Sequence, residues 1–287
     1  MKLFKIFYYG ATIMRVLAIN DVSCVGKCSL TVSLPIISAC GVTCDVLPTA
    51  LLSTHTGGFT GYTFHNLTSE IPDIIRHWKE LGLRFDYIYS GYLGDETQIA
   101  LVERIKNEFL AENGKFVVDP VMGDAGKLYA NFNQAYVDKM RELCTQADYI
   151  LPNLTEACFL AKLPYPTPKQ RVPITALMEE MKKICPRAIV TGIVENNVIS
   201  VYYVNEKQDV CHVEAQNIAG FFHGSGDVFS SAFVGALARG KDEDTAIRLC
   251  TEFLSASIRR TAKEVEDRRY GLNFEAEIYP FLQNLNK

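Results

Sequence analysis

His223-Gly224-Ser225-Gly226-Asp227-Val228-Phe229 decides how this chain is read, and an apolar stretch to Gly240 follows it directly. Two glycines let a backbone turn tightly and approach a ligand closely. Ala232, Phe233, Ala236 and Leu237 then recur at helical spacing, so the turn is expected on a helix N-terminus. Free N–H groups and the positive end of the helix dipole suit that place to a phosphate. An aspartate beside a phosphate has no attraction to it. Its natural use is to accept a proton from a hydroxyl about to attack phosphorus. The plain alternative is an Asp near a helix start after a glycine turn. Two other phosphate motifs fail: Gly26-Lys27 is followed by Cys28 with Asp21 where a Walker A loop needs glycine, and a dinucleotide fingerprint would need glycine at Phe229.

Composition sets the outer bounds. The chain has 287 residues, 48% hydrophobic and 22% charged, as expected of one large α/β domain or two small ones. A net charge of −4 argues against a nucleic-acid or anionic-membrane partner, and no apolar run reaches membrane-spanning length. Residues 1–13 mimic a short signal sequence but lack a clear cleavage site. Met14 therefore reads as an alternative start, with 1–13 an extension and 14–287 a single domain. Nine cysteines without a Cys-x2-Cys pair favour reduced thiols and a cytoplasmic location over zinc or disulfides.

Along the chain, strand and helix patterns alternate. Strands are expected at 16–20, 42–48, 87–90, 116–119, 149–151 and 188–191, with a hairpin at 198–204 and 210–213. Helices are expected at 27–39, 71–81, 95–112, 133–143 and 176–184, and three more from Gly226, Asp242 and Phe274. Residues 50–66 read as a loop or small flap, and 164–173, with four prolines, as loop. Repeated βα units imply a mostly parallel sheet with helices on both faces, whose ligands gather at the C-terminal strand ends. Asn20-Asp21, the run 53–58, the run 119–124 and the run 153–156 all fall there.

Asp-Pro-Val-Met-Gly-Asp at 119–124 and Gly-Ser-Gly-Asp at 224–227, in that order, resemble the ribokinase-like (PfkB) small-molecule kinases. His55-Thr56-Gly57 after the second strand and Gly91-Tyr92 after the third narrow the resemblance to the vitamin B6 (pyridoxal) kinases. It covers nearly everything from Met14 onward. It implies a three-layer α/β/α sandwich with a small flap, a homodimer, and ATP-dependent phosphorylation of the hydroxymethyl group of pyridoxal, pyridoxine or pyridoxamine. Two departures stand out. Many pyridoxal kinases carry serine where Asp21 stands, and an aspartate there is similar to the hydroxymethylpyrimidine kinases. Leu151 stands where the B6 kinases often have threonine beside a monovalent-cation site.

The resemblance implies roles residue by residue. Asp227 would be the base, and the N–H groups of Gly224, Ser225 and Gly226 would hold the transferring phosphoryl oxygens. Glu156, helped by Asp119, would hold Mg2+. Asp124 and Asn153 would sit beside the ATP phosphates, and Thr191 would contact ATP or a monovalent cation such as K+. Asp21, Thr56 and Tyr92 would face the vitamin, and His55 either faces the ring or is a buried structural histidine. Asn153 and Glu156 also fit a helix capping box. Three readings of function compete: a B6 kinase, a hydroxymethylpyrimidine kinase or other PfkB kinase, and a non-catalytic vitamin-binding protein. The three carboxylates Asp119, Glu156 and Asp227 argue against the last.

Overall fold

The first apolar run forms β1 (Arg15–Ser23), in which Val16, Leu17, Ala18 and Ile19 are all wholly buried. A strand buried residue after residue needs cover on both faces, which is how parallel sheets are packed. The computed structural model describes residues 14–167 and 170–287, so the expectation for residues 1–13 lies outside the described residues. After β1 come α1 (Leu30–Ala39), β2 (Thr43–Leu52), β3 (Phe64–Asn66), α2 (Ile71–Glu80), β4 (Phe85–Ser90), α3 (Glu96–Phe109) and β5 (Leu110–Val118). A small hairpin, β6 (Gly123–Asp124) and β7 (Lys127–Leu128), precedes α4 (Gln134–Cys144), β8 (Tyr149–Ile150), α5 (Leu154–Ala161) and α6 (Ile174–Ile184). The chain closes with β9 (Ile189–Glu195), β10 (Val198–Val204), β11 (Val210–Gln216), α7 (Ser225–Ala238), α8 (Glu243–Glu264), a 3-10 turn (Arg268–Tyr270) and α9 (Glu275–Leu285).

The central sheet runs in the order β3-β2-β1-β4-β5-β8, parallel except for the edge strand β3. Parallel bridges from Ile150 to Ala188 and from Asn153 to Thr191 seat β9 beside β8, and the antiparallel meander β9-β10-β11 carries the sheet onward. Alternate strand residues feed two cores. Leu17, Ile19, Phe116 and Val118 pack with α2 to α6, whereas Val16, Ala18, Tyr89 and Val117 pack with α1, α7, α8 and α9. The expected three-layer α/β/α architecture is the observed one. Among the described residues no helix is long and apolar enough to cross a membrane.

Three local expectations are corrected. The helix expected at 27–39 starts only at Leu30. The Lys27 N–H is held by the Tyr270 carbonyl, and Ser29 takes φ 57°, outside the helical region. The helix expected at 95–112 ends at Phe109, and Leu110 already pairs with Phe85. The register then jumps to Tyr87 opposite Lys115, because the Asn113-Gly114 pair supplies an irregular bend rather than a further helical turn. Within 50–66, Leu51 and Leu52 pair with His65 and Phe64, which leaves 53–63 as the flap between two strands.

From β1 the chain first moves to β2, then returns to place β4 on the other side of β1. A crevice opens at such a switch, at the C-terminal strand ends. Its lips here are Asn20 and Asp21 on β1, and Ser90 and Gly91 after β4.

Candidate active site

α7 begins at this crevice. Its N-cap, Gly224, has φ 78°, and a Cβ there would lie 2.2 Å from the Lys27 carbonyl oxygen, so both backbone angle and space demand glycine. Gly226 faces open space, with nothing within 4 Å of an added Cβ. The Gly224 and Gly226 N–H groups have no partner among the described residues, and the Ser225 N–H reaches the Phe222 carbonyl only at 3.4 Å. The motif therefore forms the anion-ready helix start expected of it.

Asp227, in the first turn of α7, is held by a residue more than 200 positions away. Asn20 Nδ2 donates to Asp227 Oδ1 at 3.3 Å, while Asn20 Oδ1 accepts the N–H groups of Tyr92 (2.8 Å) and Asp21 (3.0 Å). The Asn20 amide fills the space a side chain at Gly91 would need, 2.3 Å from its Cβ position. The Ser29 N–H also faces the Asp227 carboxylate, aimed there by a positive φ that costs strain. Burial pushes Asp227 up to about 6; the neighbouring Asp21 charge adds to this, and the bonds from Ser29 and Asn20 oppose it.

Two more carboxylates continue the line, Asp119 next to Asp227 and Glu156 next to Asp119. Asp119 Oδ2 accepts the Ser230 hydroxyl at 3.0 Å, and burial, then the Asp227 charge, push it up to about 8. Glu156 is raised well above the usual range by burial and by Asp119. Its Oε1 accepts the Met122 N–H at 3.0 Å and its Oε2 the Asn153 N–H at 2.8 Å. Asn153 Oδ1 accepts the Glu156 N–H in return, so the capping box that the sequence allowed is formed. Asn153 Nδ2 meanwhile braces the Gly123 carbonyl at 2.9 Å. Among the described residues no Lys or Arg forms an ion pair with these three carboxylates. Hard oxygen donors whose ionisation is held back only for want of a nearby cation fit a divalent ion such as Mg2+. Among the described residues no group of three or more His, Cys, Asp or Glu could hold a metal. Water and phosphate would therefore complete the shell, as Mg2+ prefers.

On the substrate side, Asp21 is buried and accepts Ser23 Oγ at 3.1 Å and Ser29 Oγ at 2.5 Å. Burial raises its pKa, and the two serines work against that. Tyr92 packs against Phe132 at 5.7 Å, and burial together with the Asp21 charge pushes its phenol up to about 12, so its hydroxyl shares Asp21's surroundings. Thr56 is exposed on the flap. His55 is not a free recognition group. Its Nε2 lies 2.6 Å from the Arg269 carbonyl and its Nδ1 accepts the Gly57 N–H at 3.1 Å. Both ring nitrogens are spent on backbone, which fixes the Nε2–H tautomer and makes His55 the structural anchor that was its alternative reading.

A cavity of about 250 Å³ opens beside the helix start, lined by Asp124, Thr191 and Ser225 and walled by Val201, Leu254 and Ile258. Asp124 and Thr191 line this cavity, whereas the Asn153 side chain supports the Gly123 carbonyl. Sequence reasoning assigned no role to Asn20, Cys28 or Tyr129. The Cys28 thiol is pushed well up by burial and by the charges of Asp227 and Asp21, so it stays neutral in their neighbourhood. Tyr129, partly exposed after the β6-β7 hairpin, has its phenol raised by desolvation and by the charges of Glu156, Asp124, Asp227 and Asp119. Only the Asn20-Asp21 strand end carried a readable signal.

The chain is similar to known proteins over nearly its whole length. Residues 34–271 match the family model described as phosphomethylpyrimidine kinase. A Bacteroides thetaiotaomicron protein provisionally assigned to the same activity superposes with a TM-score of 0.89 at 35% identity, covering 97% of this chain and 96% of that one. A second crystal form of it, solved with pyridoxal, gives a TM-score of 0.87 at 35% identity over 96% of each chain. The pyridoxal kinase of Lactobacillus plantarum gives 0.88 at 30% identity, covering 95% of this chain and 98% of that one. The chain therefore belongs to the phosphomethylpyrimidine kinase family, and it has the ribokinase-like fold of its pyridoxal-kinase relatives.

Proposed function

We propose that this protein is an ATP-dependent pyridoxal kinase, which transfers a phosphoryl group to the hydroxymethyl oxygen of a B6 vitamer. The observation that carries the reading is Asp227. It lies under the unpaired N–H groups of a helix start and is fixed by Asn20 at the lip that also holds Asp21 and Tyr92. The pyridoxal-bound relative at 35% identity supports the vitamin as substrate.

In this reading the vitamin lies between Asp21, Tyr92 and the flap residue Thr56, with its hydroxymethyl group toward Asp227. Asp227 takes the hydroxyl proton as the oxygen attacks the γ-phosphorus. The bond from that phosphorus to the bridging oxygen breaks, and ADP leaves. The transition state is loose, so the proton can leave late and a carboxylate is an adequate base. A pKa near 6 keeps Asp227 mostly ionised at neutral pH, yet more basic than an ordinary aspartate. The N–H groups of Gly224, Ser225 and Gly226 stabilise charge on the moving phosphoryl oxygens. Asp119 and Glu156 would hold Mg2+, which when bound supplies positive charge against the phosphate oxygens. Asp124 and Thr191 line the nucleotide cavity, with Thr191 also the candidate contact for a monovalent cation, and Asn153 holds the Gly123 carbonyl next to Asp124.

The second reading, a hydroxymethylpyrimidine kinase, is favoured by the description of the family model and by the carboxylate at Asp21. Incubating the protein with ATP, Mg2+ and pyridoxal, pyridoxine, pyridoxamine or the aminopyrimidine, while following ADP release, separates the two. The B6 reading expects turnover on at least one vitamer to exceed that on the aminopyrimidine. The reverse order would replace it.

A further inference from the structure

Arg268 and Arg269 lie side by side in the 3-10 turn between α8 and α9, and each touches a different loop of the site. The Arg268 guanidinium donates from Nη1 to the Ala219 carbonyl at 3.2 Å and lies over the Phe222 ring at 4.9 Å. It also occupies the place of a Cβ on Gly220, 2.3 Å away, where φ is 130° and only glycine sits without strain. Phe222 in turn offers its carbonyl to the Ser225 N–H. Arg268 is therefore one residue removed from the phosphate-binding turn.

Arg269 faces the other way. Asp267 fixes its guanidinium through bonds of 2.8 and 2.7 Å, and that group lies 5.3 Å from the centre of the Phe59 ring. Its stem packs about Gly58, with Cγ 3.0 Å from the place of a Cβ there, and its carbonyl takes the His55 Nε2–H. Tyr270 adds an edge contact to Phe59 at 5.3 Å and gives its carbonyl to the Lys27 N–H at 3.1 Å. Three consecutive residues thus hold the segment before the phosphate turn, the flap, and the loop after β1.

We infer that residues 268–270 form a clasp in which Arg268 positions the phosphate-binding turn and Arg269 positions the flap over the vitamin. The kinetic half of this inference rests on the kinase reading above. The division of labour follows from chemistry. A guanidinium can lie flat on an aromatic ring and still donate in its own plane to a carbonyl, whereas an ammonium cannot do both in that geometry. Phosphoryl transfer is sensitive to small displacements of the groups that surround the phosphate, so Arg268 acts on turnover. Flap contacts bear on vitamin binding, so Arg269 acts on KM.

The test uses the full chain and two readouts. Arg268→Ala should lower kcat roughly tenfold, the size of one lost charged hydrogen bond, with the vitamin KM within about twofold. Arg269→Ala should raise that KM about two- to fivefold with kcat nearly kept, the size of a lost cation–π contact on Phe59. Hydrogen exchange of the backbone should separate them in the same way. Amides at 220–226 speed up in Arg268→Ala alone, and those at 56–60 in Arg269→Ala alone. Arg268→Lys should recover only part of the loss, and Phe222→Leu should add little on top of Arg268→Ala. The clasp is overturned if both variants shift the same constants together, if lysine restores full turnover, or if the two exchange patterns coincide. A wild-type protein that phosphorylates none of the hydroxymethyl heterocycles would defeat the kinase reading instead, and the exchange patterns would still judge the clasp.

Discussion

The two ends of the central sheet treat carboxylates in opposite ways. At the N-terminal strand ends, Asp45 receives Arg15 at 2.5 Å, Asp86 accepts the Arg15 N–H at 2.7 Å, and Asp148 pairs with Lys115 at 3.0 Å. Arg187 there reaches Glu206 at 3.4 Å and Glu243 at 3.8 Å, and its charge opposes the burial that pushes Glu243, the one raised carboxylate of this group, up to about 7. At the C-terminal ends, Asp119, Glu156 and Asp227 crowd together without such a cation, and each is raised above its ordinary range. Charge at one end is arranged to balance. At the other no cation is at hand and the carboxylates are relieved only by holding protons, which costs stability as pH rises and favours a ligand that brings positive charge. That asymmetry locates the working end of the molecule without reference to any motif.

The comparison breaks most visibly at Asp227. Replacing it with alanine should lower kcat by roughly 10²–10⁴-fold while unfolding and ATP binding stay near wild type. Wild-type kcat/KM should also fall as pH drops through about 6, where burial has placed the carboxylate. A folded Asp227→Ala protein with near-normal turnover removes the base from the mechanism.

Asp21 gives the next largest effect. Asp21→Ala strips Ser23 and Ser29 of their acceptor and removes the charge beside Tyr92. Vitamin KM should rise by about 10- to 150-fold, the cost of a lost charged hydrogen bond, with ATP affinity almost unchanged. Loss of ATP affinity alone would make Asp21 a brace for the helix start and not a vitamin contact. Glu156→Gln sharpens the metal assignment. An amide can still accept the Met122 or the Asn153 N–H but binds a hard cation poorly, so half-maximal rate should need roughly tenfold more Mg2+. An unchanged requirement would leave Glu156 with its capping role only.

Stability offers the smallest and most direct contrast between the two ends. Asp119 ionises near 8 in the folded protein and near its ordinary 3.8 when unfolded. Between those values the folded chain holds a proton that the unfolded chain has shed. The stabilisation is complete below the lower value and is lost as pH rises through the upper one. Without metal, Asp119→Asn should therefore raise Tm at pH 8, and the gain should vanish toward pH 4. Asp45→Asn at the opposite end should lower Tm instead, through a loss of stability of no more than about 1 kcal/mol for a half-exposed pair. Two changes of the same sign would erase the distinction between the ends.

The sequence made some of this legible and hid the rest for a physical reason. The βα alternation, the parallel sheet and the turn at Gly224–Asp227 are local patterns, and each appears where its periodicity or its glycines placed it. The capping box at Asn153 and Glu156 was readable for the same reason. What escaped was contact across the chain. Asn20 meets Asp227 over a separation of 207 residues, and His55 meets Arg269 over 214. Nothing in the neighbourhood of Asn20 reveals that its amide will brace a base, and nothing near His55 shows that both ring nitrogens will be consumed. Helix ends at Leu30 and Phe109 shifted because partners in other elements, Tyr270 and Phe85, outweighed local propensity.

The most direct test of the whole account is to identify the product of a single turnover. The enzyme is mixed with Mg2+, a B6 vitamer and ATP labelled in the γ-phosphoryl group, and the reaction is quenched and analysed by mass spectrometry and phosphorus NMR. The account predicts the label on the hydroxymethyl oxygen of the vitamer, one ADP per phosphorylated vitamin, and no such product from Asp227→Asn under the same conditions. Label found only in inorganic phosphate, or transferred to the aminopyrimidine and to no vitamer, would contradict it.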